Sequence, residues 1–270
     1  MVAFSVLMPI APWESPDILY QALSSLSDQT CKPSEVILSI DGLLPTSLRH
    51  ISQQIYIPLK IIEGPGREGV GPVLARGLLH CKHDYVVRAD SDDICLPQRF
   101  FLQLSAIKCL PHVVVLGGNI REFNEAYHPS RYVLRRIPLS VSSIVSSIKW
   151  RNPINHPTVI IRRSCILEVG NYRHSPGFED YDLWLRVLKR YGPASIVNID
   201  DHLVLVRTGS AHLDRRHGFG YALNEISFLL RSGRESLIPW HVILVLMFIR
   251  VPFRLMPKFF LSTAMALLRK

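Results

Sequence analysis

Short, unbroken apolar runs mark the first third of the chain. Ala3 to Ile10 (AFSVLMPI) and Glu35 to Ile40 (EVILSI) are rich in Val, Ile and Leu and end in Pro-rich or Asp-Gly turns. Runs of this length without polar alternation predict strands buried on both faces, as in a parallel sheet. Between them, residues 17–29 place Ile18, Leu19, Ala22, Leu23 and Leu26 at helical spacing, with Ser15 positioned as a cap and Pro16 at the first helical position. These pieces make a βαβ unit. Further on, residues 59–62 predict a third strand, 71–80 a short helix, 85–89 a fourth strand and 97–110 another helix. Strands alternating with helices predict an α/β fold with a doubly wound, mostly parallel sheet, whose ligands bind beyond the carboxyl ends of the strands.

The polar residues after those strands are acidic. Asp41-Gly42 follows the second strand, and Asp90-Ser91-Asp92-Asp93 follows the fourth. Carboxylates this close repel and raise one another's pKa unless a cation or hydrogen-bond donors neutralise them. A hard divalent ion such as Mg²⁺ or Mn²⁺ would do so; an ordinary turn with Asp93 capping the next helix fits the spacing equally well. A second cluster, Glu179-Asp180-Tyr181-Asp182, opens a helix that runs to Tyr191 and stops at Gly192-Pro193. Acids at its start and Arg186, Lys189 and Arg190 near its end also complement the helix dipole, at about 0.3 to 1 kcal/mol per charge. Tyr181, Trp184 and Leu185 read as core residues of that helix.

Composition narrows the class. With 270 residues, 48% hydrophobic and 20% charged, the chain can build an ordinary core and suits one large α/β unit. Five cysteines without a CxxC pair, and no His at zinc-ligand spacing, predict a reduced, cytosolic protein. No basic residue precedes Lys32, and Pro9 and Pro12 break the N-terminal apolar run, so a signal peptide is not expected. The longest uncharged stretch, Ser236 to Ile249, is 14 residues, short of the ~20 a membrane-spanning helix needs.

The net charge of +9 is unevenly placed. Residues 236–270 contain no acid, while Arg250, Arg254, Lys258, Arg269 and Lys270 lie among Val242 to Ile249, Phe253, Phe259 and Phe260. That composition predicts a basic, amphipathic helical tail at a membrane interface, broken at Pro252 and Pro257. A helix packed on the preceding domain is the competing reading. Too few polar or stacking groups accompany the charges for nucleic acid.

Taken together, Ser5-Val6-Leu7-Met8-Pro9, Asp41-Gly42, Arg88-Ala89-Asp90-Ser91-Asp92-Asp93-Ile94-Cys95-Leu96-Pro97-Gln98-Arg99, Asn155-His156-Pro157-Thr158-Val159 and Glu179-Asp180-Tyr181-Asp182-Leu183-Trp184 resemble family 2 glycosyltransferases of GT-A fold, of the bacterial exopolysaccharide and O-antigen type. The resemblance spans residues 3 to about 215. It implies a nucleotide-sugar donor, a UDP-sugar by family habit, with Pro9 and Asp41 near base and ribose. Asp90, Ser91 and Asp92 would form the DxD element, with Asp90 and Asp92 on a divalent metal. It also implies Asp180, with Glu179 beside it, as general base of an inverting transfer to a hydroxyl of a lipid-linked glycan. Where the chain departs from the family pattern, Glu14 and Arg76 are donor-site candidates, His212 a third metal ligand, and Arg215 and Arg216 a diphosphate clamp; ordinary loop residues are the alternative for the last three.

His156 either orients a substrate or is a hydrogen-bonded structural histidine. The expected organisation is a catalytic domain over 1–235, with a donor half (1–110) and an acceptor half (111–235), followed by the tail at 236–270. A peripheral protein at the cytoplasmic face of the inner membrane follows. A catalytically inactive nucleotide-sugar-binding or scaffold protein of an assembly complex is the alternative. A sugar nucleotidyltransferase would show a Gly-rich basic loop after the first strand, which Pro9 to Pro16 lacks.

Overall fold

The computed structural model describes residues 2–124, 132–208 and 217–255. The first half follows the apolar runs: β1 (Phe4–Ile10), α1 (Pro16–Ser27), β2 (Glu35–Ile40), α2 (Thr46–Gln53), β3 (Leu59–Ile62), α3 (Val70–His80), β4 (Tyr85–Arg88), β5 (Ile94–Cys95) and α4 (Arg99–Lys108). The second half contains β6 (Val115–Phe123), β7 (Val133–Arg135), α5 (Val141–Ile148), β8 (Ile160–Arg162), α6 (Arg163–Glu168), α7 (Glu179–Tyr191), β9 (Ile196–Arg207) and the helices α8 (Phe219–Arg234) and α9 (Trp240–Leu255). Pro16 starts α1 as expected, but Ser15 makes no side-chain capping bond.

The sheet runs β3-β2-β1-β4-β8-β6-β9-β5, with β7 on the far end of β6. Its first four strands are parallel. Beyond β4 the sheet becomes mixed: β8 is antiparallel to β4 and β6, β9 is parallel to β6, and β5 is antiparallel to β9. Because side chains alternate across a strand, β1 feeds two cores. Phe4, Val6, Met8 and Ile10 pack with Leu19, Leu23 and Leu26 of α1 and Phe100 of α4. Leu7 faces the other way, toward Leu74 and Leu78 of α3 and a layer containing Trp184 of α7 and Phe228 of α8. Tyr181, Trp184 and Leu185 are buried there, as their spacing predicts.

Two glycines let β6 cross the middle of the sheet. A Cβ at Gly117 would fall 2.6 Å from Asn198 Oδ1, and one at Gly118 would fall 2.5 Å from Leu203 Cδ1. Only a residue without a side chain permits such approach.

The described part of the expected tail, residues 236–255, packs on this body. Val242, Ile243 and Leu246 of α9 are buried in the same core as Phe228 and Leu229 of α8. Two of the five tail cations turn inward, since the buried Glu225 carboxylate pairs with Arg250 at 3.0 Å and Arg254 at 2.9 Å. Lys258, Arg269 and Lys270 lie outside the described residues. The hairpin of α8 and α9 also supports the start of α7. Phe228 stacks on Phe178 at 4.8 Å and touches Tyr181, and Tyr221 meets Phe178.

Candidate active site

The parallel strands β1, β2 and β4 end at one edge of the sheet, so the loops that follow them carry their polar groups to the same place. After β2, both Asp41 carboxylate oxygens accept backbone N–H groups, from Glu68 at 2.8 Å and Gly69 at 3.2 Å. Arg76 underpins this loop: it donates to Ile40 O at 2.6 Å and forms an ion pair with Glu68. Gly42 and Gly66 have positive φ (127° and 92°) and press together, backbone on backbone. Residues with side chains would be strained at both. After β1, Glu14 accepts from Ser91 Oγ at 2.8 Å, which joins the β1 loop to the acidic β4 loop. Pro9 lies in β1, paired in register with Ser39.

Asp90, Asp92 and Asp93 bring one carboxylate oxygen each to within 4.8 Å of one another. Asp93 does not cap α4, which begins at Arg99 after Gln98; instead it accepts the backbone N–H of Arg207 at 2.9 Å. Burial, followed by the charges of Asp90 and Asp92, holds its carboxyl well above the usual range. Crowded, partly desolvated oxygen donors fit a hard divalent cation. Arg88, buried at the end of β4, forms an ion pair with Asp90, and its backbone carbonyl accepts from Arg99 Nη2 at 2.7 Å. Desolvation works against the guanidinium, but Asp90, with Tyr172 and Asp93, together more than compensate and Arg88 stays charged.

The second acidic group opens α7. Asp180 Oδ2 accepts from Asn152 Nδ2 at 2.7 Å and Oδ1 from the Tyr181 N–H at 2.7 Å. Burial and then the neighbouring Asp180 lift the Glu179 carboxyl from its ordinary 4.5 to about 7. Glu179 closes a pocket of about 180 Å³ lined also by Gly69, Gly71, His174 and Gly177. The pocket therefore runs from the Asp41-held loop to the start of α7. Its walls are close: a Cβ on Gly71 would strike the Arg173 carbonyl and sit 3.4 Å from Glu179 Cβ.

Arg88 pairs with Asp90, and the charges of both acidic groups reach Tyr172. Tyr172 feels the charges of Arg88, Asp180, Glu179 and Asp90, and burial keeps its hydroxyl protonated far above the usual range. That hydroxyl bonds His156 Nε2 at 3.1 Å. Burial, then Arg88, holds the His156 imidazole neutral, and its ring meets the Trp184 edge at 5.8 Å. His156 is thus a buried, hydrogen-bonded residue behind the site. His212, Arg215 and Arg216 lie outside the described residues.

Arg88, Asn152 and Tyr172 complete the site without having been singled out in the sequence. A charge ending the apolar run Tyr85-Val86-Val87 is a usable signal for Arg88. Asn152 and Tyr172 have none, because each meets its partners only through the fold.

Residues 5–170 match the family model described as Glycosyl transferase family 2. The amylovoran biosynthesis glycosyltransferase AmsE of Erwinia amylovora is 37% identical over 225 residues, covering 83% of each chain. The UDP-Gal:alpha-D-GlcNAc-diphosphoundecaprenol beta-1,3-galactosyltransferase of Escherichia coli is 34% identical over 260 residues, covering 95% of this chain and 93% of that one. In three dimensions, S. aureus TarS 1–349 in complex with UDP-GlcNAc aligns with a TM-score of 0.66 at 17% identity, over 92% of this chain and 72% of its own. The mannosyltransferase PcManGT of Pyrobaculum calidifontis, in complex with GDP-Man and Mn²⁺, aligns with a TM-score of 0.62 at 17% identity, over 97% and 73%. At such identities the two structures establish a shared fold, of GT-A type. The chain belongs to glycosyltransferase family 2 and is a glycosyltransferase of the bacterial polysaccharide-synthesis type.

Proposed function

We propose that the enzyme transfers a sugar, with inversion, from a uridine diphosphate donor to a hydroxyl of a lipid-linked glycan. The observation that carries this reading is that the loops after β2 and β4 bring Asp41 and the Asp90–Asp92–Asp93 cluster to one edge of the sheet, where the pocket lined by Gly69 and Glu179 joins the Asp41-held loop to the start of α7. One acidic group suits the diphosphate end of a donor and the other the hydroxyl end of an acceptor. The donor's base and ribose lie over Pro9 and Asp41, with Glu14 and Ser91 bridging beside them and Arg76 supporting the loop. Asp90 and Asp92, with Asp93 behind them, are the residues that would hold Mn²⁺ or Mg²⁺; bound there, the ion supplies Lewis acidity toward the leaving diphosphate. His212 is proposed as a further ligand, and Arg215 and Arg216 as diphosphate partners.

Asp180 takes the acceptor hydroxyl proton as that oxygen attacks the anomeric carbon. The new C–O bond forms as the bond to the β-phosphate oxygen breaks, and the electron pair departs with the nucleotide. Asn152 and the Tyr181 N–H fix the direction of the Asp180 carboxylate. Glu179, protonated up to about pH 7, limits repulsion beside it.

The E. coli relative's name specifies UDP-Gal and a diphosphoundecaprenol acceptor, and TarS was crystallised with UDP-GlcNAc; both support a UDP-sugar, and the first a lipid-linked acceptor. An acceptor of that kind resides in a bilayer. Residues 236–270 are accordingly proposed to hold the protein peripherally on the anionic cytoplasmic face of the inner membrane. Transfer of labelled sugar from UDP-sugars to a membrane extract tests the reaction. Asp180→Asn should retain donor binding while turnover falls by about 10²- to 10⁴-fold. Undiminished transfer would refute the assignment of the base, and donor binding by the wild type without any turnover would favour a scaffold.

A further inference from the structure

The outward face of α9 is inverted relative to an ordinary surface helix. Helices at a protein surface direct charged and polar residues outward. In α9 the exposed residues are Trp240, His241, Leu244, Val245, Phe248, Ile249, Pro252 and Leu255, apolar in every case but His241. Phe248 is 83% exposed, Leu244 64% and Ile249 60%. Their spacing of three and four places them on one side of the helix. The charged residues of the same helix go the other way, Arg250 and Arg254 both pairing with the buried Glu225.

The start of α8 lies beside the end of α9. The Gly218 N–H donates to Arg254 O at 3.1 Å, which brings the exposed Phe219 at the start of α8 to the Leu255 end of α9. The ridge is about 22 Å long at 1.5 Å per residue. It is the crest of a single helix rather than a groove, and no described helix is long and apolar enough to cross a membrane.

We propose that this face is a lipid-docking surface, with Leu244, Phe248 and Ile249 entering the boundary between headgroups and acyl chains while α9 lies in the plane of the bilayer. The occupant is lipid because the exposed residues of the ridge are apolar in every case but His241. The sequence around it also complements an anionic surface: residues 236–270 contain no acid, and Lys258, Arg269 and Lys270 follow α9 in the chain. Arg250 and Arg254 do not serve as headgroup contacts, so insertion of apolar side chains carries most of the binding. The inference rests on the membrane reading proposed above and names the residues that perform it.

The full chain is mixed with vesicles of phosphatidylcholine, with and without phosphatidylglycerol, at low and high salt, and sedimented. The wild type should bind both kinds of vesicle, with only modest weakening by salt. Leu244→Glu with Phe248→Glu should lower vesicle affinity at least about tenfold while leaving the melting temperature and transfer to a water-soluble acceptor unchanged. Phe248→Ser alone should give an intermediate loss. If the wild type binds no vesicles, the membrane reading fails and this proposal with it. If the wild type binds and the double variant binds equally well, the membrane reading stands and the assignment to this face is overturned. A wild type that is dimeric in solution, ignores vesicles and becomes monomeric on Leu244→Glu with Phe248→Glu would make the face a contact between two copies, which also overturns it.

Discussion

Glu179→Gln should make the protein more stable and less active, and the gain in stability should depend on pH. Burial and the adjacent Asp180 raise the folded-state pKa of Glu179 from 4.5 to about 7. The folded chain therefore holds this proton more tightly than the unfolded chain does. Below pH 4.5 both states are protonated and the side chain costs nothing; the cost grows as pH rises from 4.5 and is complete above 7. At about 1.4 kcal/mol per tenfold change in proton affinity, the full cost is about 3 kcal/mol, and at pH ~5.5 it is about 1 kcal/mol. A neutral glutamine of the same shape removes it. For a chain of this size each kcal/mol corresponds to about 2–4 °C in Tm, so Glu179→Gln should melt about 6–12 °C higher than wild type at pH ~8 and about 2–4 °C higher at pH ~5.5. Differential scanning fluorimetry of the two proteins across that range, without donor or metal, reads the difference directly. A Tm difference that is flat with pH, or a variant less stable at pH 8, would refute the claim that this carboxylate is held ionised against its surroundings.

Three further outcomes follow from the geometry. Mn²⁺ with UDP should raise the Tm of the wild type, and Asp92→Ala should abolish that rise and the transfer activity while the metal-free Tm falls little; chelator should silence the wild type reversibly. Glu225→Gln leaves Arg250 and Arg254 without their buried counter-charge, and because both arginines keep some water contact the loss should be about 2–4 kcal/mol, seen as a lower urea midpoint with unchanged slope. Gly71→Ala drives a Cβ into the Arg173 carbonyl and should cost about 1–3 kcal/mol of stability, with a lowered kcat/KM because the start of α3 and Glu179 share one pocket wall.

The parallel half of the sheet was legible because each of its strands is a complete local signal. AFSVLMPI and EVILSI need no partner to read as buried strands, and their turns are chemically explicit. The other half was less so, since only Leu203 to Arg207, the end of β9, reads there as a strand. β5 has two residues and β7 and β8 three each, lengths at which the neighbouring strand, not the sequence, decides the conformation. β6 carried its strand in VLGGNIREF, where Gly117 and Gly118 dilute the pattern for a reason visible only from Asn198 and Leu203. The site divides the same way. Asp41, Asp90, Asp92, Glu179 and Asp180 stand out as acids at element boundaries, a local property. Asn152, Tyr172 and the role of Arg88 depend on separations of tens of residues. Glu225 is the clearest omission: an acid inside a helix gives no hint that it will neutralise two cations from the next one, and without it those cations read as membrane contacts.

The inward pairing of Arg250 and Arg254 with Glu225 has a practical side for anyone preparing this enzyme. Cutting the chain at residue 235 to gain solubility would remove a wall of the core rather than an appendage. It would strip Val242, Ile243 and Leu246 from Phe228 and Leu229, strand a buried carboxylate, and loosen the aromatic stack under Phe178 and Tyr181 on which Glu179 and Asp180 are mounted. A shortened protein that is inactive would then say nothing about lipid. Polar substitutions confined to the outward crest of α9 keep the catalytic helix on its foundation, and they are the route to a soluble enzyme that still works.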